Sequence, residues 1–281
     1  MPLFFRHLPA AWSGAALAVA LGVAAPIGGG ALLTPGAIGG WNAYVAATEQ
    51  RISRELAAPV RFLVQDFRAG AEANRRALLA GQTVIDEMVS LDARGSEVAV
   101  PDAMVHHWRG AVFIPGLRLD DLMQRLRSGT PGAKQEDVLA SRVLERGPDR
   151  MRVYLRLQRR KFVTVVYNTE HTVSFKRHGP TRASSASTAT RIAEVESVGT
   201  PAERELPVGQ DRGFLWRLNS YWRYEQVSGG VIAECESVSL SRSIPYGLNY
   251  VVSPLVASTA RESMARTLST LQTPPASSPV R

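Results

Sequence analysis

LWRLNSYWRYEQ (Leu215–Gln226), VSGG (Val227–Gly230) and VIAECESVSLS (Val231–Ser241) read together as a β-hairpin, and that reading decides the fold. Both arms alternate with a period of two, which argues for strands with two different faces. A loop of two or four residues centred on Ser228-Gly229 gives one register, with Arg223 against Glu234 and Tyr221 against Glu236. Arg217, Asn219, Tyr221, Arg223, Glu234 and Glu236 then share one face. Trp216, Leu218, Ser220, Trp222, Tyr224, Ala233, Cys235 and Ser237 share the other. On the first face Arg223 and Glu234 read as a cross-strand ion pair on a solvated surface, contributing little to stability. The second face sets large aromatics beside very small side chains, where a fully packed sheet more often carries Val, Ile and Leu. Either a cavity or a closely packed helix fills the room that this leaves.

After a break at Ser243-Ile244-Pro245, Tyr246–Leu271 reads as a helix. Leu248, Val251, Val252, Leu255, Val256, Met264, Leu268 and Leu271 recur at three- and four-residue spacing. Pro254 is expected to kink or split it. Upstream, Gln82–Leu91, Met104–Ile114, Val138–Arg146, Met151–Arg160, Phe162–Arg177 and Arg182–Ser197 read as strands. Gly147-Pro148-Asp149, the Arg159–Lys161 tip and His178-Gly179-Pro180 separate them. Leu117–Arg127 is a short amphipathic helix, followed by the polar loop Ser128–Glu136. Such a sheet must bury one face, and the closing helix is the element long enough to cover it.

The order of strands, hairpin and closing helix resembles the START-like, helix-grip superfamily, which includes polyketide cyclases and lipid-transfer domains. His106-His107-Trp108-Arg109-Gly110-Ala111-Val112-Phe113-Ile114-Pro115-Gly116 and Arg217-Leu218-Asn219-Ser220-Tyr221-Trp222-Arg223 resemble a bacterial branch of exported proteins of that type. The resemblance covers roughly residues 80–272. It implies an α+β helix-grip fold with a ligand gap between sheet and helix. It implies no particular activity, because the superfamily has no universal catalytic motif.

The first residues point to export. Arg6 and His7 precede a chain without Asp, Glu, Lys or Arg until Glu49, and Trp12–Ala25 is a continuous small-apolar run. That pattern is a secretory signal within residues 1–37, cut near Ala24–Ala25, after Ala31 or after Ala37. Left uncut, Leu8–Leu33 is long enough to span a bilayer and is the one route to membrane association. The expected location is periplasmic or secreted. Residues 38–80 form an N-terminal helical extension, with Trp41–Leu56 and Ala69–Ala80 helical and Pro59 ending the first helix. Residues 81–272 form the helix-grip domain, and 273–281 have the composition of a disordered tail.

Lys plus Arg exceed Asp plus Glu by eight in 281 residues, but the basic residues are scattered. No helix-turn-helix, RNP-like or zinc-finger pattern is present, which argues against nucleic acid. His106 and His107 adjoin, so on a strand they point to opposite faces and do not ligate one metal. No metal site or cofactor is expected, and no nucleophile elbow or triad spacing occurs. Cys235, the single cysteine, reads as a buried small residue beside Trp222.

The candidate ligand-binding residues are Tyr167, His171, Arg191, Trp216, Trp222, Tyr224 and Ser237. His171 shares a face with Val165, Tyr167, Val173 and Phe175, as a satisfied core histidine or as a polar contact in a cavity. Arg191 lies among Ser185, Ser187, Ala189, Ala193 and Val195, where it would greet an anionic head group or pair with a nearby acid. The leading expectation is a binding protein for a hydrophobic or amphipathic small molecule, lipid included. An enzyme of the cyclase or hydrolase type, with His171 or Tyr167 as acid or base, is the alternative. A structural protein with a filled core is the third.

Overall fold

The structure is a computed structural model that describes residues 32–129, 137–160, 164–243 and 249–272. Helix α1, Pro35–Leu56, starts where Thr34 accepts a hydrogen bond from the Ala37 backbone N–H and Pro35 presets the first turn. Trp41, Tyr44, Thr48, Ile52 and Glu55 are buried along one side of it. A 3-10 turn at Val64–Phe67 and helix α2, Ala71–Leu79, complete the N-terminal extension.

Strands β1 (Val84–Glu87), β2 (Ala103–Pro115), β3 (Val138–Arg146), β4 (Arg150–Arg160), β5 (Thr164–Arg177), β6 (Arg182–Glu196), β7 (Arg204–Glu205), β8 (Arg217–Val227) and β9 (Gly230–Arg242) form one sheet. Its order is β1-β2-β9-β8-β6-β5-β4-β3, with β7 beside β6, and every pairing is antiparallel. Helix α3, Leu119–Ser128, follows β2, and α4, Asn249–Gln272, follows β9. This is the α+β helix-grip arrangement read from the sequence.

The hairpin closes with the two-residue loop Ser228-Gly229. Arg223 stands opposite Glu234, Tyr221 opposite Glu236 and Trp222 opposite a fully buried Cys235. Gly229 holds φ at 80°, a value that suits glycine. Helix α4 runs through Pro254 as one element rather than two. It lies against β2, where a Cβ on Gly110 would stand 2.6 Å from both Leu268 Cδ1 and Met264 Cγ. The bare backbone of Gly110 lets the helix approach.

Some expectations change. The first strand is Val84–Glu87, shorter than Gln82–Leu91, because Leu91 leaves it to bridge Glu97. The apolar leader, the 130–136 loop, the 161–163 tip, the break at 244–248 and the tail lie outside the described residues. So do the side chains of Val251, Val252, Leu255 and Val256. Of the α4 stripe, Met264 and Leu268 are fully buried. A cut after Ala37 would fall inside the first turn of α1, where Ala37 is buried.

The largest correction concerns the charged face of the hairpin, which is buried rather than solvated. The N-terminal extension covers it, and the charges pair with that extension instead of chiefly across the hairpin. Glu234, 1 % exposed, accepts from the backbone N–H of Val64 at 2.5 Å and of Gln65 at 3.2 Å, and from Arg109 at 2.9 Å. Arg223 donates to Glu55 at 2.5 Å and to the Phe62 carbonyl at 2.8 Å. Glu236 contacts Arg51 and, at 2.7 Å, His107 Nε2, whose Nδ1 meets Tyr44 OH at 2.9 Å. Burial pushes the Glu236 carboxyl up, but His107, Arg51 and Arg223 outweigh it and hold it below the usual range. The sheet is therefore sandwiched, with α1 and α2 on the charged face and α3 and α4 on the other.

Candidate functional site

The face toward α3 and α4 is built in rows, because antiparallel register sets residues of neighbouring strands side by side. One row runs Trp108, Ser237, Ser220, Ser187, Val173 and Met151 across β2, β9, β8, β6, β5 and β4. The next runs Gly110, Cys235, Trp222, Ser185 and Phe175, setting small residues beside Trp222 and Phe175. Three serines stand abreast at the centre, each at most 1 % exposed. Ser239 and His106 continue this polar band along β9 and β2, and His171 and Thr169 continue it along β5.

The band divides the core. On one side Trp108, Phe175, Trp222, Tyr224 and Cys235 pack with Met264 and Leu268 of α4 and with Leu122, Met123 and Leu126 of α3. On the other, Leu155, Leu157, Val165, Tyr167, Phe214, Leu215 and Leu218 form a separate cluster. A core meant only to be filled does not need hydroxyls between its two halves, since each buried one must find a partner. Many do. His171 Nε2 meets Thr169 Oγ1 at 2.9 Å and its Nδ1 meets Ser187 Oγ at 3.4 Å. His106 Nε2 meets Ser241 Oγ at 2.9 Å, and Tyr224 OH meets Ser185 Oγ at 3.2 Å. The Trp222 and Tyr224 rings stack with centroids 6.0 Å apart. Among the described residues, the buried donors without a partner include Tyr167 OH and Trp222 Nε1 on this face and Ser263 Oγ on α4.

Burial lowers both His106 and His171 to about 4, so both imidazoles are neutral at pH 7. A folded value below the unfolded 6.5 means that protons bind the unfolded chain better. The stability this gives is present above pH 6.5 and is lost as pH falls toward 4. Each histidine is expected to take away about 2 kcal/mol between pH 7 and pH 5. Chemical denaturation of the parent and of His171→Gln at both pH values checks this. The variant should lose less stability on acidification than the parent, and equal losses would contradict the assignment.

Five of the seven sequence candidates meet on this face: Tyr167, His171, Trp222, Tyr224 and Ser237. Arg191 does not. Thr190 is an extra residue where Glu170 pairs with Arg191 but His171 with Ala189. That bulge reverses the alternation, so Arg191 emerges on the solvent side and pairs with Glu205. Ile192 takes the inward place. Trp216 does not join the site either. It precedes β8, bonds Asp211 Oδ1 through its ring N–H at 3.0 Å and packs with Trp41 and Tyr44 on the α1 side. Ser220, Ser187 and His106 also belong to this face but were not among the candidates read from the sequence. The period-two serines at 185 and 187, and at 237, 239 and 241, carried the signal.

An open groove of about 540 Å³ lies apart from this face, between α3 and the β3–β4 turn. Its arginines are already engaged: Arg127 with Asp149, Arg177 with Asp120 and Arg146 with the Ser128 carbonyl. Among the described residues no three His, Cys, Asp or Glu side chains are placed to hold a metal ion, and no helix is long and apolar enough to cross a membrane.

No family model matches the chain, and no curated protein matches it. Solved structures do. The chain is similar to a STAR-related lipid transfer protein fragment from Xanthomonas axonopodis at 17 % identity and TM-score 0.42, over 66 % of this chain and 99 % of that one. It is similar to the lipid transfer and protein localization domain of human StarD13 at 11 % identity and TM-score 0.38, over 73 % and 98 %. It is also similar to the Zhui aromatase/cyclase from Streptomyces at 8 % identity and TM-score 0.38, over 60 % and 92 %.

Proposed function

We propose that the chain is an exported binding protein that encloses a hydrophobic or amphipathic small molecule, lipid included, against the α4 face of the sheet. The observation that supports this is the buried hydroxyl band between two apolar clusters. Apolar walls take the body of such a ligand, and a few placed polar groups orient it. His171 is neutral and held by hydroxyls rather than by a carboxylate, which suits a hydrogen-bonding contact better than an acid or base. Export rests on Arg6, His7 and the apolar Trp12–Ala25 run.

Native mass spectrometry of the protein purified from its own cells tests the binding. A small apolar molecule released on denaturation is expected. A bare chain that also fails to enhance the fluorescence of an apolar dye would overturn the reading. Fractionation tests the location, and a full-length chain retained in the cytosol would refute export.

A further inference from the structure

Along β4 the inward side chains run Met151, Val153, Leu155, Leu157 and then Arg159, because a strand sends alternate residues to one face. Leu155 and Leu157 belong to the second apolar cluster, and so does Val165, which stands opposite Arg159 on β5. An arginine therefore ends an apolar row. Its side chain is 16 % exposed, which puts the guanidinium at the rim of the face, where Asp137 pairs with it at 2.8 Å. Burial pushes the Arg159 pKa down, Asp137 works against that, and the nearby Arg266 of α4 lowers it further.

Arg266 is exposed and makes no ion pair among the described residues. Two guanidinium groups thus share one carboxylate, and like charges held close repel. The charged residues of the adjoining stretches, Lys134, Glu136, Lys161 and Glu262, bring two charges of each sign and cancel. Glu194 and Asp211 act on Tyr167 and have donors of their own: Arg212 for Glu194, the Gly213 and Trp216 ring N–H groups for Asp211. One positive charge is left over at the rim. Unpartnered hydroxyls stand beside it. Ser263 lies three positions before Arg266, so the two share a side of α4, and its buried Oγ has no partner. Tyr167, opposite Leu157 and within reach of the Arg159 charge, is buried with its OH unpaired. Trp222 Nε1 lies apart, in the aromatic cluster. An anion has the lone pairs to satisfy both hydroxyls while it neutralises the surplus charge.

Building on the binding reading above, we infer that this rim is the head-group end of the site and takes an anion, a carboxylate or a phosphate, carried at one end of an apolar chain. Arg159 and Arg266 hold the anion from β4 and α4, and Ser263 and Tyr167 donate to it. The chain runs inward over Val165, Leu157 and Leu155. Arginine suits the role, because its planar fork meets a carboxylate or phosphate with two parallel hydrogen bonds.

The test compares a fatty acid, the lysophosphatidate and the monoacylglycerol of the same acyl chain, each delivered from cyclodextrin to the delipidated full chain. Tryptophan fluorescence reports binding. At least one of the two anions is expected to bind about tenfold more tightly than the neutral monoacylglycerol, and the tighter anion identifies the head as carboxylate or phosphate. A monoacylglycerol that binds as tightly as both anions would overturn the inference and leave the binding reading intact. No binding of any of the three would count against the binding reading itself. Arg266→Gln is expected to weaken the anion about tenfold and to leave the monoacylglycerol unchanged. The melting temperature of the free protein should stay the same or rise, because no ion pair is lost and a repulsion is relieved. Arg261→Gln removes the same charge from another side of the helix and should leave both affinities as they were. Equal weakening by the two variants, or none by Arg266→Gln, would overturn the role given to this rim.

Discussion

Glu234→Ala is expected to lower the free energy of unfolding by about 3–5 kcal/mol, a large share of the roughly 5–15 kcal/mol typical of a domain. The carboxylate is 1 % exposed and serves three donors: the Arg109 guanidinium and the backbone N–H groups of Val64 and Gln65. Removing it leaves the fully buried Arg109 with Asp86 as its remaining carboxylate partner and leaves two backbone N–H groups unpaired. It also cuts the 3-10 turn loose from the sheet. Arg191→Ala is the control, because its partner Glu205 sits with it at the surface, where such pairs contribute at most about 1 kcal/mol. Urea unfolding of both variants checks this. If the two lose similar small amounts, the buried network does not hold the extension on.

Leu268→Ala should remove about 2–5 kcal/mol, the usual penalty for a cavity where a buried leucine stood. Leu268 is fully buried over Gly110, so the vacated space cannot fill from the strand below, which has no side chain there. Arg261→Ala, exposed on the same helix, should change little. Ending the chain after Ser243 should expose the apolar face of β2, β8 and β9 and give an aggregating product. A truncated chain that stays soluble and melts like the parent would show that α4 does not hold this face.

The strands and the hairpin register were legible because their signal is local. Alternation over Leu215–Ser241 fixes which side chains share a face, and a Ser-Gly loop fixes what stands opposite what. The aromatic and serine positions of the site follow from the same alternation. Arg191 was misplaced because one inserted residue, Thr190, reverses the alternation and leaves no compositional mark. Trp216 was misplaced because the strand starts one residue later, so the alternation does not reach it. The charged face was misread for a different reason. Arg223, Glu234 and Glu236 look solvated until their partners Arg51, Glu55 and the Val64 and Gln65 N–H groups arrive from elsewhere in the chain, and no pattern within the hairpin announces them.

That distance has a kinetic consequence. Arg51 and Glu236 are 185 positions apart, Val64 and Glu234 are 170, and Glu55 and Arg223 are 168. Helices α1 and α2 therefore leave the ribosome early and meet their binding surface only after nearly the whole chain has followed. A single amphipathic helix is marginal in water, and contacts this remote in sequence slow folding. During synthesis α1 and α2 stay unlatched, presenting Trp41, Tyr44 and Ile52 to whatever is near. Their docking is the late step, and it can occur in only one register, because a shift by one residue would leave buried charges facing the wrong partners.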